Sequence, residues 1–259
     1  MNRVEHVMGL PVSLRIDDAH VPEGIADAVF GWLREVDARF SPFKSDSEVS
    51  RLNRGELSIA GISSDLAHVL DLGEQYRRAS GGAFDMRLPG RGLDPCAVVK
   101  GWSVQGAAEL LTAAGVRRFC LNAGGDVVAA GGPWRVGVRH PDDAGRICVV
   151  LEVTDAAVAT SGHYERGAHI LDARTGRPAT GLLSLTVVAP TLTEADATAT
   201  AAFAMGGDGV AWAAGRPDCQ VFAVDAARRV LRTAELCVVL PDFKRTGDGP
   251  CESPSWEGA

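Results

Sequence analysis

The spacing of apolar residues along the chain predicts a mixture of helices and strands. Apolar side chains recur at helical spacing in residues 24–40, and the pattern also predicts helices at residues 63–78, 97–114 and 207–214. Strands are predicted at residues 7–16, 118–122, 127–130, 134–139, 147–153, 156–160, 183–189, 220–224 and 230–231. We therefore expect an α+β fold, in which residues 134–160 form an antiparallel meander.

A helix rich in small residues is predicted to begin at Thr191. Thr191 and Glu194 have the spacing of a capping box, in which each residue satisfies a backbone N–H of the other. Asp196 and Thr200 follow four residues apart, so their side chains share one face of the helix. Carboxylate and hydroxyl oxygens are ligands that Mg²⁺ prefers. The alternative is structural, since the macrodipole favours Asp near a helix start and Thr can simply pack among alanines.

Three further polar positions have both a functional and a structural interpretation. Lys100 lies at the mouth of a predicted helix and is suited to phosphate, although solvated surface lysines are common. Gly124 and Gly125 can turn backbone N–H groups toward a ligand, and Asp126 can accept from a ribose or ring donor. The same three residues also suit a tight turn between strands. His169 precedes an apolar pair and a turn, where a structural histidine is the commoner case.

Charge and composition exclude some classes of protein. The net charge of -7 leaves no basic stripe for nucleic acid. The six cysteines have no paired spacing, which indicates reduced, buried thiols, with Cys251 the expected exposed one. Residues 1–8 lack the apolar core of a signal peptide, and no later run approaches about 20 apolar residues. We therefore expect a cytoplasmic protein without a membrane anchor.

Five stretches of the sequence, in this order, resemble the ApbE family of flavin transferases, which attach FMN covalently to target proteins. They are residues 93–102, 122–126, 160–162, 169–176 and 195–200. The resemblance extends from residue 8 to residue 205, with weaker matches at 40–48 and 82–85. It implies a single ApbE-like domain over residues 1–240, built from antiparallel sheets and helices in two packed lobes with the active site between them. Residues 241–259 are rich in Pro, Gly, Ser and charge, and we expect a flexible tail there.

The resemblance also implies a reaction and its participants. Family members use Mg²⁺ to split FAD at its pyrophosphate, transfer the FMN half to a threonine or serine hydroxyl of an acceptor protein, and release AMP. FAD is thus expected as the substrate and Mg²⁺ as the cofactor. Two alternatives stay open: a Mg²⁺-dependent FAD pyrophosphatase, in which water replaces the hydroxyl, and a non-catalytic FAD-binding or carrier protein.

The matched positions receive roles from the resemblance. Asp196, Thr200 and the main-chain carbonyl of Val99 are the expected metal ligands, and His169 is the expected general base. Lys100, expected near the phosphates, and Asp172 belong to the same catalytic set. Asp172 is expected to orient its loop rather than react. The expected FAD contacts are Met8, Phe43, Ala83, Phe84, Asp85, Lys100, Asn122, Gly124, Gly125, Asp126, Thr160, Ser161 and Gly162.

This chain departs from the family pattern in several places. Only a few residues separate Asp85 from Asp94, where the family has a substantial insertion that contributes to the flavin side. Gln105 stands where the family has an Asp, and Ala173 replaces a proline. These changes bear on flavin affinity and loop shape more than on the expected metal ligands.

Overall fold

The chain folds into helices layered on an antiparallel sheet. A computed structural model describes residues 1–88, 90, 92–163, 167 and 169–239. The helices are α1 (Ile25–Phe40), α2 (Glu48–Asn53), α3 (Ser64–Ala79), α4 (Cys96–Ala113), α5 (Leu192–Met205) and α6 (Gly207–Ala214). The strands are β1 (Asn2–Val7), β2 (Leu10–Ile16), β3 (Arg87–Leu88), β4 (Gly92–Leu93), β5 (Phe119–Ala123), β6 (Asp126–Ala130), β7 (Trp134–His140), β8 (Asp143–Val153), β9 (Ala156–Gly162), β10 (Leu171–Asp172), β11 (Arg177–Pro178), β12 (Leu182–Ala189), β13 (Gln220–Asp225), β14 (Val230–Arg232) and β15 (Val238–Val239).

Eight strands form the main sheet, in the order β1-β2-β5-β6-β9-β12-β13-β14. Each adjacent pair is antiparallel. The chain enters this sheet through a hairpin whose two-residue turn, Met8 and Gly9, has positive φ at both positions. The single strand predicted at residues 7–16 is therefore the second half of a hairpin, because Gly9 reverses the chain.

Both faces of the main sheet are covered. Helices α1, α4, α5 and α6 pack on one face, and a three-stranded sheet, β15-β8-β7, packs on the other. The meander predicted over residues 134–160 is thus wrong, since β7 and β8 lie in the small sheet while β9 lies between β6 and β12. Alternation of apolar residues predicts a strand but does not specify the sheet that it joins.

Helices α4 and α5 lie between two apolar clusters. Ala199 and Ala202 belong to the cluster shared with the main sheet, whereas Ala197 and Ala201 belong to a cluster with α1, α2 and α3. This arrangement confirms the α+β class and the two packed lobes. The tail predicted at 241–259 lies outside the described residues. In the part of the chain that the structure describes, no helix is both long and apolar enough to span a bilayer.

Two expectations about exposure are wrong. The two glycines at residues 81 and 82 predict a sharp turn beside an exposed aromatic ring, whereas Phe84 is 4% exposed and packs edge-on against Tyr76, with ring centroids 6.2 Å apart. The prediction that cysteines are buried is confirmed for Cys219 but is wrong for Cys96 and Cys237, which are exposed. Local composition does not reveal these environments, because Phe84 lies in an apolar cluster to which Ala197 and Ala201 of α5 contribute from a distant part of the sequence. Cys251 lies outside the described residues.

Small residues let α4, α5 and α6 approach closely. A Cβ atom added at Gly209 of α6 would lie 1.9 Å from the Ala202 carbonyl oxygen of α5. A Cβ added at Gly101 of α4 would lie 2.6 Å from the Leu192 carbonyl oxygen and 2.8 Å from Asp196 Cβ. Backbone atoms on both sides cannot give way as a flexible side chain does. Glycine at these two positions therefore sets the spacing of the helices.

We predict that Gly209→Ala lowers the free energy of unfolding by about 1–3 kcal/mol, because the added methyl group overpacks the α5–α6 contact. Urea unfolding followed by circular dichroism measures this change. Gly207→Ala is the matched control on the same helix, since its added Cβ would meet nothing within 4 Å. The control is expected to change the free energy by less than about 1 kcal/mol. Equal losses in both variants would contradict the packing explanation.

Candidate active site

Three charged side chains from three separate elements meet between the sheet and the helices. Lys100 of α4 forms ion pairs with Asp126, at the start of β6, and with Asp196 of α5. The Lys100 Nζ atom lies 3.4 Å from Asp196 Oδ1 and closer still to Asp126 Oδ2. Both carboxylates are buried, with 2% and 4% of Asp126 and Asp196 exposed. The structure therefore brings together three residues that the sequence singled out separately.

A glycine turn places Asp126 in this cluster. Gly124 and Gly125 connect β5 to β6 with φ values of 60° and 103°, which favour glycine. The Gly124 N–H donates to the Pro11 carbonyl at 3.0 Å, and the Gly125 N–H donates to Asn122 Oδ1 at 2.9 Å. Both N–H groups are thus satisfied within the protein. Contact of this turn with FAD stays a prediction.

Close packing of α4 on α5 places Asp196. The Gly101 N–H donates to Asp196 Oδ2 at 2.9 Å, and the missing side chain at Gly101 leaves room for this contact. Burial raises the pKa of Asp196 to about 7, against the opposing effect of Lys100. Burial lowers the pKa of Lys100, but the charges of Asp196 and Asp126 outweigh it, so the pKa is raised overall. Lys100 therefore remains a cation throughout the physiological pH range.

Hydroxyl groups extend the cluster along α5 and β9. Thr200 Oγ1 lies 3.3 Å from Ser161 Oγ, and Thr160 Oγ1 lies 2.8 Å from Thr186 Oγ1. The Thr160 N–H donates to Asp126 Oδ1 at 3.1 Å, which ties β9 to the ion cluster. Thr198 faces away from these groups, and its hydroxyl lies 3.2 Å from that of Tyr76. The expected pair, Asp196 and Thr200, thus occupies one polar edge of α5.

The donor set fits Mg²⁺. Among the residues that the structure describes, no three His, Cys, Asp or Glu side chains converge as possible metal ligands. Mg²⁺ commonly binds through one or two carboxylates and takes its remaining oxygens from substrate phosphates and water, so Asp196 and Thr200 suit it. Val99 lies inside α4, where regular helix geometry already gives its carbonyl an N–H donor. A second lone pair on that oxygen remains for a metal.

Gln105 positions the start of α5. The sequence identifies this residue only as a departure from the family pattern and predicts no such role. Thr191 caps the helix as predicted, with its hydroxyl accepting from the Glu194 N–H at 3.2 Å. Gln105 Oε1, from α4, accepts from the Leu192 N–H at 3.0 Å. The two residues are 87 positions apart, so no local pattern signals their contact.

His169 and the ion cluster have different hydrogen-bond and ion-pair partners in the described part of the chain. His169 is exposed, and its Nδ1 atom lies 2.9 Å from the Gly167 carbonyl oxygen. No hydrogen bond or ion pair in the described part of the chain joins it to Lys100 or Asp196. Asp172 pairs with Arg174 at 2.9 Å, and this hydrogen bond lowers the pKa of Asp172. The catalytic roles of His169 and Asp172 stay predictions.

The expected flavin-contacting residues have different environments. Phe43 is 87% exposed, an unusual position for an aromatic ring. Ala83 and Phe84 are buried, and the Ala83 carbonyl accepts from the Ala173 N–H at 2.9 Å, which links this segment to the loop after His169. Asp85 accepts from the Arg87 N–H at 2.7 Å. Met8, at the first hairpin turn, lies 3.5 Å from the Ser103 hydroxyl through its sulfur atom. FAD contact by these residues, and by Gly162 at the end of β9, stays a prediction.

Fold and cluster together define a two-lobed α+β protein with an acidic, oxygen-rich site between sheet and helices. The sequence model described as the ApbE family matches residues 8–90 and 86–223. The chain belongs to the ApbE family.

Two sequence relatives and one solved structure illustrate this membership. A Rhodobacter capsulatus protein named FAD:protein FMN transferase is 34% identical over 204 residues, which cover 69% of this chain and 35% of that protein. A Vibrio cholerae protein of the same name is 30% identical over 149 residues, covering 52% of this chain and 45% of that protein. This chain thus spans less than half of each. The solved flavin transferase ApbE from Vibrio cholerae has a TM-score of 0.79 at 21% identity, over 90% of this chain and 97% of that one.

We predict that Lys100→Met lowers the free energy of unfolding by about 3–5 kcal/mol at pH 9 in the presence of EDTA, because it leaves two buried carboxylates without a cation. The folded-state pKa of Asp196 is about 7 with Lys100 present, and loss of Lys100 raises it further. Asp196 of the variant therefore takes up a proton at a higher pH than Asp196 of the unsubstituted protein, so the deficit in stability shrinks as the pH falls from 9 to 7. Urea unfolding at pH 9 and pH 7 measures both effects.

Lys44→Met is the matched control for this experiment. Lys44 pairs with Asp37 at 2.6 Å on the surface, with 48% of the lysine side chain exposed. Loss of an exposed pair is expected to cost less than about 1 kcal/mol at either pH. A deficit in Lys100→Met that is the same at pH 7 and pH 9 would contradict the interpretation of the cluster.

Proposed function

We propose that this protein is a Mg²⁺-dependent FAD:protein FMN transferase. It splits the pyrophosphate of FAD, attaches FMN through a phosphoester bond to a threonine or serine hydroxyl of an acceptor protein, and releases AMP. The observation that carries the proposal is the Lys100–Asp126–Asp196 cluster, flanked by the hydroxyls of Ser161 and Thr200. The names of the sequence relatives support the same reaction.

The cluster suits phosphoryl transfer because its groups can bind both the metal ion and the pyrophosphate of FAD. Asp196 and Thr200 supply side-chain oxygens for Mg²⁺, and the Val99 carbonyl supplies a further one. Mg²⁺, when bound, offsets negative charge on the pyrophosphate oxygens. Lys100 remains cationic beside this position and attracts the phosphates of FAD. Ser161 holds the Thr200 hydroxyl in place through their 3.3 Å contact.

The transfer itself exchanges one phosphorus–oxygen bond for another. The acceptor hydroxyl attacks the phosphorus on the FMN side, and the bond to the AMP phosphate breaks. His169 accepts the proton of the hydroxyl, and AMP departs with its phosphate. General base catalysis is typically worth about 10²–10⁴ in rate. Exposure of His169 agrees with a site that a whole acceptor protein has to reach.

We predict that Asp196→Asn reduces AMP release from FAD by at least about 10³-fold, because the charged metal ligand becomes a neutral amide. Chromatography of the nucleotides formed from FAD and Mg²⁺, with an acceptor present, measures the loss. Asp155→Asn is the control, since Asp155 lies in the turn between β8 and β9 and accepts from the N–H of Gly131, just beyond the end of β6 opposite to Asp126. AMP release at the normal rate by Asp196→Asn would remove Asp196 from the mechanism.

We predict that His169→Ala leaves FAD affinity within about twofold but reduces acceptor labelling by about 10²–10⁴-fold. Flavin fluorescence titration gives the affinity, and in-gel flavin fluorescence of the acceptor gives the labelling. His20→Ala, another exposed histidine, is the control and is expected to label normally. Undiminished labelling by His169→Ala would exclude it as the base.

The same assay separates the transferase from the alternatives. AMP together with a covalent flavin adduct supports transfer, AMP with free FMN supports a pyrophosphatase, and unaltered bound FAD supports a carrier. The cytoplasmic location remains a prediction of the sequence, and fractionation of the source cells tests it.

A further inference from the structure

Each carboxylate oxygen of Asp126 already contacts another group of the protein. Its Oδ1 atom accepts from the Thr160 N–H at 3.1 Å, and its Oδ2 atom contacts the Lys100 ammonium. With 2% of the residue exposed, little of its carboxylate is available to a ligand. Its charge would also repel the phosphates that the site is proposed to bind. These observations disfavour the role in FAD binding that the sequence had suggested for Asp126.

Lys100 forms ion pairs with two carboxylates, and its Nζ atom lies nearer to Asp126 than to Asp196. The distance from Lys100 Nζ to Asp196 Oδ1 is 3.4 Å, longer than a close ion pair and longer than the contact with Asp126. An ammonium group bound tightly to Asp196 would compete with a metal ion for the same oxygens, because both are cations that seek carboxylate. The position of Lys100 therefore affects how freely Asp196 can bind metal.

We propose that Asp126 is a positioning residue that holds the Lys100 ammonium away from Asp196 and so keeps Asp196 available to Mg²⁺. The proposal deepens the proposed function, on which it rests for the identity of the metal. Lys100 extends from α4 on a flexible four-carbon stem, whereas Asp126 is held by its hydrogen bond to β9. Without the charge of Asp126, Asp196 is the remaining carboxylate that is paired with Lys100 in the described structure.

Metal binding by the full-length chain without FAD tests this role directly. Mn²⁺ serves as the probe, and electron paramagnetic resonance distinguishes the free ion from the bound ion. Asp126→Asn removes the charge but keeps an oxygen that can accept from the Thr160 N–H. We expect this variant to bind Mn²⁺ about tenfold more weakly than the unsubstituted protein. Asp155→Asn, the matched control, is expected to bind Mn²⁺ normally, because Asp155 accepts a backbone N–H in a turn remote from Lys100.

A double-substitution cycle with Lys100→Met shows whether Asp126 acts through Lys100. In the Lys100→Met background, Asp126→Asn is expected to change Mn²⁺ affinity by less than about twofold, since the competing ammonium is already absent. Thermal unfolding of each variant identifies any that fails to fold. Where Lys100→Met alone is unstable, the double variant Lys100→Met with Asp126→Asn restores the net charge of the original cluster.

The outcomes are distinct. Equal weakening in both backgrounds would overturn the proposal, because Asp126 would then act on the metal through its own charge. Weaker FAD binding in EDTA with unchanged Mn²⁺ affinity would restore Asp126 as a FAD ligand and also overturn it. Absence of Mn²⁺ binding by the unsubstituted protein would overturn it as well. Failure of FMN transfer alone leaves the Mn²⁺ result intact, so the two proposals can fail separately.

Discussion

One ammonium group shared by two buried carboxylates is the constraint on which the rest of the structure depends. Removing such charges from water costs several kcal/mol for each ion unless close partners replace the lost hydration. Asp126, Lys100 and Asp196 come from β6, α4 and α5, so those three elements have to meet within hydrogen-bonding distance. The cluster keeps one uncompensated negative charge. The apolar layers on either side offset its cost.

The alanine-rich character of α5 follows from the same constraint. Asp196 can receive the Gly101 N–H only if α4 and α5 lie almost in backbone contact, which larger side chains would prevent. Apolar clusters on both sides of α5 then require small residues around most of its circumference. The helix consequently shows little amphipathic periodicity, although it is the element that carries the expected metal ligands. Burial and the capping contacts of Thr191 and Gln105 stabilise the helix.

Local interactions explain which parts of the molecule could be predicted from sequence. The helix at residues 24–40 and the cap at Thr191 were predicted closely, because periodicity and capping act over a few residues. The shared face of Asp196 and Thr200 follows from helix geometry alone. Pairing of Lys100 with Asp126 has no such signal, since it depends on how a helix and a strand pack. For the same reason, the division of residues 134–160 between two sheets could not be predicted.

The hydrogen bond between Gly101 and Asp196 joins residues 95 positions apart, and this separation has a consequence for biosynthesis. Contacts so distant in sequence form after local ones, because closing a long loop costs chain entropy before the contact compensates for it. During translation, β1 to β9 and α1 to α4 leave the ribosome before α5 does. A nascent chain that ends before Asp196 therefore holds Lys100 and Asp126 without their third partner. The complete cluster therefore forms only when most of the domain has been synthesised.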